Sequence, residues 1–322
     1  MPPGVWQRML LLTALVGITA VAVAQELDYE LDAQEVADQV FVFTGAQEHF
    51  HRGNGGNIVN TGFICTAQGA VVIDSGPSKL YGQQMRAHIL RHCPAGIAQL
   101  IITHAHPDHF LGTAAFSEAD RGLPILALAS TRTTIATMGE TLTENLFRMV
   151  GDWMRGTYPV VPQTEAGNQS LRVGEREIQL IALDGHTDGD LAVFDVPSGT
   201  LFAGDLVFFE RTPTTPNADI RRWLSSLAQL EQLPIQTLVP GHGPVVTDQR
   251  AQRQTAHYLR WLRSSLGRSA EQGADMAELL NTPAPTQLGP LAVFQEEFGR
   301  SLSHLYPAQE ERVLPVLPAQ PH

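Results

Sequence analysis

Cysteine is nearly absent from this 322-residue chain, which holds only Cys65 and Cys93. Neither has the close partner that a thiolate metal site requires, so sulfur ligation of a metal is excluded. Two isolated cysteines in a chain of this length read as buried thiols, although an oxidising compartment permits a disulfide between them. Basic residues are also scarce, with 21 Lys and Arg against 33 Asp and Glu and a net charge of -12. Neutralising phosphates needs clustered cations, so a broad nucleic-acid footprint is excluded. The acidity reads as a device for solubility. Internal repeats are missing, and past the N-terminus no apolar run is long enough to span a bilayer.

The one long apolar run is Met9 to Ala24, which follows Arg8 and ends in Ala22, Val23 and Ala24 before Gln25. A positive start, an apolar middle and an Ala-x-Ala end describe a secretory signal peptide. The run is also shorter than the ~20 apolar residues of a membrane anchor. Residues 1–24 are therefore expected to be removed, giving a periplasmic or secreted protein that starts near Gln25. At the other end, residues 307–322 form a Pro-rich tail, of which Leu314 to His322 is expected to fray.

What the chain does have is a cluster of metal ligands. His104, His106, Asp108 and His109 fall within six residues, directly after the apolar run Leu100, Ile101 and Ile102. Imidazole and carboxylate suit a borderline cation such as zinc. A strand that stops and turns aims several short side chains at one point. Three later segments each place one ligand type beside glycine, where the backbone turns sharply: Gly185-His186, Gly204-Asp205 and Gly241-His242-Gly243. Seven ligands are enough for two ions.

Patterning puts these motifs at strand ends. Val40–Phe43, Ile58–Cys65 and Val71–Asp74 read as strands, and Leu80–His92 as a helix stopped before Pro94. Leu100–Thr103 is the strand that delivers the motif, and Pro107 suits the first turn of a following helix. Ile125–Leu128 and a helical region over Thr131–Val150 complete the first half. The second half reads as strands over Ser170–Val173, Glu177–Ala182, Leu191–Asp195 and Leu201–Ala203, a helix over Ile220–Leu233, a short strand at Leu238–Val239, and an amphipathic helix over Gln249–Gly267. Helices outside two sheets, with ligands on loops from both halves, put the site along the edge where the halves meet.

The pattern His104-x-His106-x-Asp108-His109, followed by His186, Asp205 and His242, resembles the metallo-β-lactamase superfamily. The likeness runs from about Val40 to Val246 and implies an α/β fold, an αββα sandwich spanning residues 25–306 with a C-terminal helical extension. The segment Val71 to Gly76 resembles the family's early strand, whose aspartate, Asp74 here, supports the metal loop. Three further segments, Gly53–Thr61, Val150–Thr157 and Glu210–Pro216, resemble the exported branch called quinoprotein relay system zinc metallohydrolases. That branch implies a functional link to dehydrogenases that use pyrroloquinoline quinone (PQQ).

Carried over by position, the resemblance assigns His104, His106 and His186 to a first Zn2+ and Asp108, His109 and His242 to a second, with Asp205 bridging them. Two ions ~3.5–4 Å apart hold a hydroxide that is nucleophilic at neutral pH. Asp108 is the residue placed to orient that water or shuttle its proton. An aspartate in the bridging role resembles thioesterase- and lactonase-type members rather than antibiotic-resistance enzymes. The expected activity is hydrolysis of a small-molecule ester, thioester or lactone.

Two alternatives stay open. One is a mononuclear iron enzyme acting on persulfides, and the other is a non-catalytic accessory protein of a quinoprotein dehydrogenase. Other polar residues carry weaker signals. His49 and His51 read as solvated or at the mouth of the site, and Asn57 and Asn60 as turn residues or substrate contacts. Glu210 and Arg211 read as substrate contacts or an ion pair fixing their loop. Trp153 and Trp223 read as packing residues, and His88 and His92 as surface histidines.

Overall fold

A computed structural model describes residues 27–313. The expected signal peptide lies outside the described residues, as does the tail beyond Val313.

The first half runs β1 (Gln34–Ala37), β2 (Val40–Phe43), β3 (Thr61–Ile64), β4 (Ala70–Ile73), α1 (Lys79–His92), β5 (Ile97–Ile101), α2 (Pro107–Phe110), α3 (Thr113–Ala119), β6 (Ile125–Leu128), α4 (Ala129–Val150) and β7 (Thr164–Ala166). Its seven strands form one sheet in chain order, antiparallel from β1 to β4 and parallel from β4 to β7. The second half runs β8 (Gln169–Val173), β9 (Arg176–Leu183), β10 (Asp190–Asp195), β11 (Thr200–Phe202), α5 (Ile220–Leu230), β12 (Thr237–Val239), α6 (Arg250–Glu271), α7 (Met276–Leu279) and α8 (Phe294–Val313). Its sheet has the order β12-β11-β10-β9-β8, with only β11 and β12 parallel.

Strand alternation explains the layering. In β2, Val40 and Val42 join Ile178, Leu180 and Val193 in the core between the sheets, whereas Phe41 and Phe43 pack outward with Tyr81, Met85 and Ile89 of α1. On the far side, Phe194, Leu201 and Leu238 meet Trp223 and Leu227 of α5, Leu259 and Leu262 of α6, and Phe298 and Leu302 of α8. Helices, sheet, sheet, helices: this is the αββα sandwich.

The structure corrects the sequence reading in three places. Cys65 and Cys93 are disulfide-bonded, with Cα atoms 5.5 Å apart, so they are not a pair of buried thiols. The end of β3 and the C-terminal end of α1 bring them together, a proximity no local spacing encodes. Residues 307–313, expected in a Pro-rich tail, belong to α8, which continues through Pro307. Its apolar stripe Phe294, Phe298 and Leu302 is packed against the second core and carries the helix that far. The strands β1 and β7 went unread, because their short, largely exposed sequences show no apolar alternation.

Candidate metal centre

All seven ligand-type residues converge on one edge of the sandwich. His104 and His106 follow β5, and Asp108 and His109 occupy the single turn of α2, with Pro107 in its first turn. His186 sits between β9 and β10, Asp205 in a 3-10 turn after β11, and His242 beyond β12. The Leu191 N–H donates to the Thr103 carbonyl at 2.9 Å, joining β10 to the motif loop across the two halves.

The donor atoms fall into two groups. His104, His106, His186 and Asp205 form one, and Asp108, His109 and His242 the other, with ligand atoms inside each group within 4.8 Å of one another. Asp205 faces both. Its Oδ2 lies 3.3 Å from His186 Nε2 and 3.8 Å from His104 Nε2. Its Oδ1 lies 3.1 Å from His109 Nε2 and 3.3 Å from His242 Nε2. Asp108 Oδ2 is 3.4 Å from His242 Nε2.

Backbone geometry makes room for this. A Cβ at Gly241 would run into Asp205 Oδ1, so only glycine lets the His242 turn pass that close. Asp74, at the end of β4, takes a φ of 58°, a left-handed conformation that aspartate tolerates better than most residues. Its Oδ1 accepts the Thr103 N–H, and its Oδ2 accepts the Thr103 hydroxyl and His109 Nδ1–H, each at 2.8 Å.

Each ring is oriented by what its other nitrogen does. The Nδ1–H of His242 donates to the Ile58 carbonyl at 2.7 Å, and that of His109 to Asp74, which leaves both Nε2 atoms free to face inward. His106 turns the other way: its Nε2 lies 3.3 Å from Asn217 Oδ1 while its Nδ1 faces His186 Nε2 at 2.9 Å. The His186 loop is pinned by Asp190, whose carboxylate accepts the N–H groups of His186 and Thr187 and the Thr187 hydroxyl.

The residues fit a pair of cations. Among the described residues, His104 Nε2, His109 Nε2 and Asp205 Oδ1 are buried without a hydrogen-bond partner, and such orphaned donors and acceptors carry a large desolvation cost that ligation removes. Burial holds the His104 and His186 rings well below the ordinary histidine value and lowers His106 as well, keeping all three neutral and ligand-competent. Burial opposes the charge of Asp205, but the facing His242 and His109 more than reverse it, so its carboxylate is held well below its usual range.

Residues 54–242 match the profile of the metallo-beta-lactamase superfamily, more than half of the chain. The chain belongs to that superfamily. It is similar to the Beta-lactamase-like protein 2 homolog of Drosophila melanogaster, 23% identical over 73% of this chain and 78% of the relative. It is also similar to a Hydroxyacylglutathione hydrolase of Edwardsiella ictaluri, 28% identical over 44% of this chain and 45% of that protein. Among solved structures, a metallo-beta-lactamase from Pontibacter korlensis has a TM-score of 0.59 at 22% identity, covering 72% of this chain and 99% of its own. Metallo-beta-lactamase IND-7 has a TM-score of 0.58 at 17% identity, covering 73% and 100%. At these identities the likeness is one of fold.

In this member of the superfamily His106, Asp108, Asp205 and His242 line a cleft of about 240 Å³, together with the apolar Ile58, Leu142 and Leu146 and the charged Arg211, Glu297 and Arg300. A second hollow of about 210 Å³ adjoins it and shares His106, Leu142 and Asn217. His49 lines the main cleft, whereas His51 pairs with Glu48 at the surface. Asn60 is a structural clamp, its Nδ2 donating to the Pro240 and Gly243 carbonyls that flank His242. Trp223 is fully buried and donates to the Leu206 carbonyl. Arg211 finds its carboxylate on α8, at Glu297, rather than on the neighbouring Glu210.

Sequence reading missed Asp190, Glu297 and Arg300. For Asp190 the signal was an aspartate four residues after the ligand His186, the spacing of a loop-closing acceptor. For the other two it was a pair of opposite charges, three residues apart, on the amphipathic helix α8.

Proposed function

We propose that the chain is an exported dinuclear zinc hydrolase, cleaving a small ester, thioester or lactone within a pathway that serves a PQQ-dependent dehydrogenase. One observation carries the hydrolase reading: Asp205 offers one oxygen to each histidine group. This is the arrangement of a bridging ligand between two ions. The motif segments that resemble the quinoprotein relay branch support the pathway, and the Cys65–Cys93 disulfide supports an oxidising compartment. The hydrolase name of the Edwardsiella relative supports bond cleavage by water.

Two zinc ions would supply a hydroxide nucleophile at neutral pH and an electrophile for the substrate oxygen. The chain's own residues do the rest. Asp205, His104, His106 and His186 would hold one ion, and Asp205, Asp108, His109 and His242 the other. Asp74, the Ile58 carbonyl and Asn217 fix the ring orientations, so little reorganisation accompanies reaction. Asp108 lines the cleft and carries a carboxylate at the second group, where it orients the attacking water and receives its proton. Ile58, Leu142 and Leu146 form an apolar wall that limits competing water.

The test is metal content by mass spectrometry on mature protein purified without chelators or a histidine tag, followed by a panel of esters, thioesters, lactones and β-lactams. About two zinc ions per chain and turnover of one of the first three classes is the expected result. About one iron with little zinc would replace this reading with oxygen-dependent sulfur chemistry. Full zinc with no turnover, and a stable complex with a quinoprotein, would assign an accessory role.

A further inference from the structure

The two halves of the metal centre are held by different parts of the chain. In the second group, His109 leans on Asp74 at the end of β4, and His242 leans on the Ile58 carbonyl. In the first group, two of the three histidines lean on one short turn, Thr215 to Ala218, and on Asp219 just after it. The Ala218 N–H donates to the Thr215 carbonyl at 3.0 Å and closes that turn. Pro216 and Asn217 fill its two central positions, where both residue types are favoured. Asn217 Oδ1 lies 3.3 Å from His106 Nε2, while the Nδ1 of the same ring faces His186. The Asp219 N–H donates to the Gly185 carbonyl at 2.9 Å, immediately before His186.

What fastens this turn comes from the far end of the chain. Thr215 Oγ1 and Ser301 Oγ of α8 share a hydrogen bond of 2.7 Å, and both residues are fully buried. Earlier in the same loop, the Thr212 N–H donates to the Ala292 carbonyl at 3.0 Å, and the Ala292 N–H donates to the Glu210 carbonyl at 2.9 Å. These two bonds make a parallel bridge between Arg211 and Ala292, just ahead of α8. Gln254 of α6 ties the same two stretches together. Its Oε1 accepts the Glu210 N–H, and its Nε2 donates to the Leu288 and Pro290 carbonyls.

The seam is tightly specified. Glu210 and Val293, which flank it, both take a φ of 54°, in the left-handed region that a β-branched residue avoids. Conformations of that kind persist where the surrounding contacts over-determine them. Residues 288–301 also lie outside the stretch 54–242 that matches the superfamily. The extension is thus fastened to the loop that carries Asn217, and through it to the first group of ligands.

We propose that the C-terminal extension is a latch for the first metal site. Ser301 fixes Thr215, the Thr215 turn fixes Asn217, and Asn217 accepts the His106 Nε2–H so that Nδ1 is presented to the cation. Thr215, Ser301 and Asn217 are positioning residues. A turn that drifts frees the His106 ring to rotate, which lowers affinity at the first site and leaves the second unchanged. The latch rests on the dinuclear reading and not on which bond is cleaved.

Zinc affinity of the full chain, measured by chelator competition, tests this without turnover. An Asp108→Ala background reads the first site by itself, and a His104→Ala background reads the second. Thr215→Val keeps the shape and removes the hydroxyl, so first-site affinity is expected to fall roughly 3- to 10-fold, as loss of one hydrogen bond would give. Asn217→Ala is an exposed change that should fold, and it is expected to weaken the same site roughly 10- to 100-fold. Thr215→Ser, which keeps the hydroxyl, should retain most of the affinity. Thr215→Val should add little once Asn217 is already replaced, because the two act in series. Equal losses at both sites, or additive losses in the double variant, would mean that the seam only stiffens the fold, and would overturn the latch. A wild-type chain that binds fewer than two ions defeats the dinuclear reading and the latch with it. Two bound ions, with first-site affinity unmoved by these variants, defeats the latch alone.

Discussion

The carboxylate of Asp74 accepts the Nδ1–H of His109 at 2.8 Å, and the same group accepts the N–H and hydroxyl of Thr103. One side chain at the end of β4 thus fixes both the loop that carries the metal motif and the tautomer of one ligand. Replacing Asp74 by Asn keeps the shape but turns one acceptor oxygen into a donor. Partners of ligating histidines usually contribute 10- to 100-fold in metal affinity, so a loss on the order of 10- to 100-fold is expected at the second site. A chelator-competition titration of the variant measures it, and unchanged affinity at both sites would show that Asp74 serves only the fold.

Asp205 makes a different demand. Because each of its oxygens faces a separate histidine group, Asp205→Ala should lower the occupancy of both sites together. Asp108→Ala should spare the first site and weaken only the second. Metal counts per chain after dialysis separate the two cases. Activity is expected to fall at least ~100-fold in either variant, more than loss of an outer partner would cost. Equal metal loss in the two variants would remove Asp205 from the bridging role.

Acid should release the metals, and the sign follows from the rings. Burial depresses His104, His106 and His186 below the ordinary histidine value. The unfolded chain therefore takes up those protons first as pH falls below about 6.5. Their contribution to stability is complete above that value and is lost as pH falls through the folded-state values. His109 runs the opposite way in the metal-free protein. Burial lowers it, but Asp205, Asp74 and Asp108 outweigh burial and hold it well above the usual value. Its share of stability is present below about pH 6.5 and lost as pH rises through that raised value. Cations displace the His109 proton, so in the loaded protein all four rings favour higher pH. The Tm difference between loaded and chelated protein is expected to shrink from about pH 7.5 to about pH 5.5. Thermal scans on both forms check this, and a gap that widens on acidification would contradict it.

The Cys65–Cys93 bond closes a 28-residue separation between β3 and α1. In the chain-entropy account a loop of this size contributes roughly 3–4 kcal/mol by restricting the unfolded chain. Reduction, or Cys93→Ser, should lower the denaturation midpoint by a corresponding amount while leaving metal content unchanged, because neither cysteine is among the metal-ligand groups. Denaturant titrations with and without reductant supply the number. Metal loss on reduction would mean that the bond also shapes the site.

The sequence by itself determined the four-layer plan and singled out the seven ligand-type residues that the fold brings together. Each ligand-type residue lies within a few residues of a glycine or proline that turns the chain, and the two faces of a strand such as β2 follow its alternation, Val40 and Val42 against Phe41 and Phe43. These are short-range properties, set by sterics and hydrophobic period within one element. The tertiary structure decided the rest. Only sheet packing could bring Asn60 to the carbonyls on either side of His242, 180 and 183 residues away. The same packing sets Asp205 with one oxygen toward each histidine group, joins Cys65 to Cys93, and delivers Glu297 and Arg300 of α8 to Arg211. Such partners lie on different elements and leave no periodicity in the chain. Their proximity follows from burying the faces of two sheets and of the helices outside them at once, a cooperative outcome that no local stretch of residues encodes.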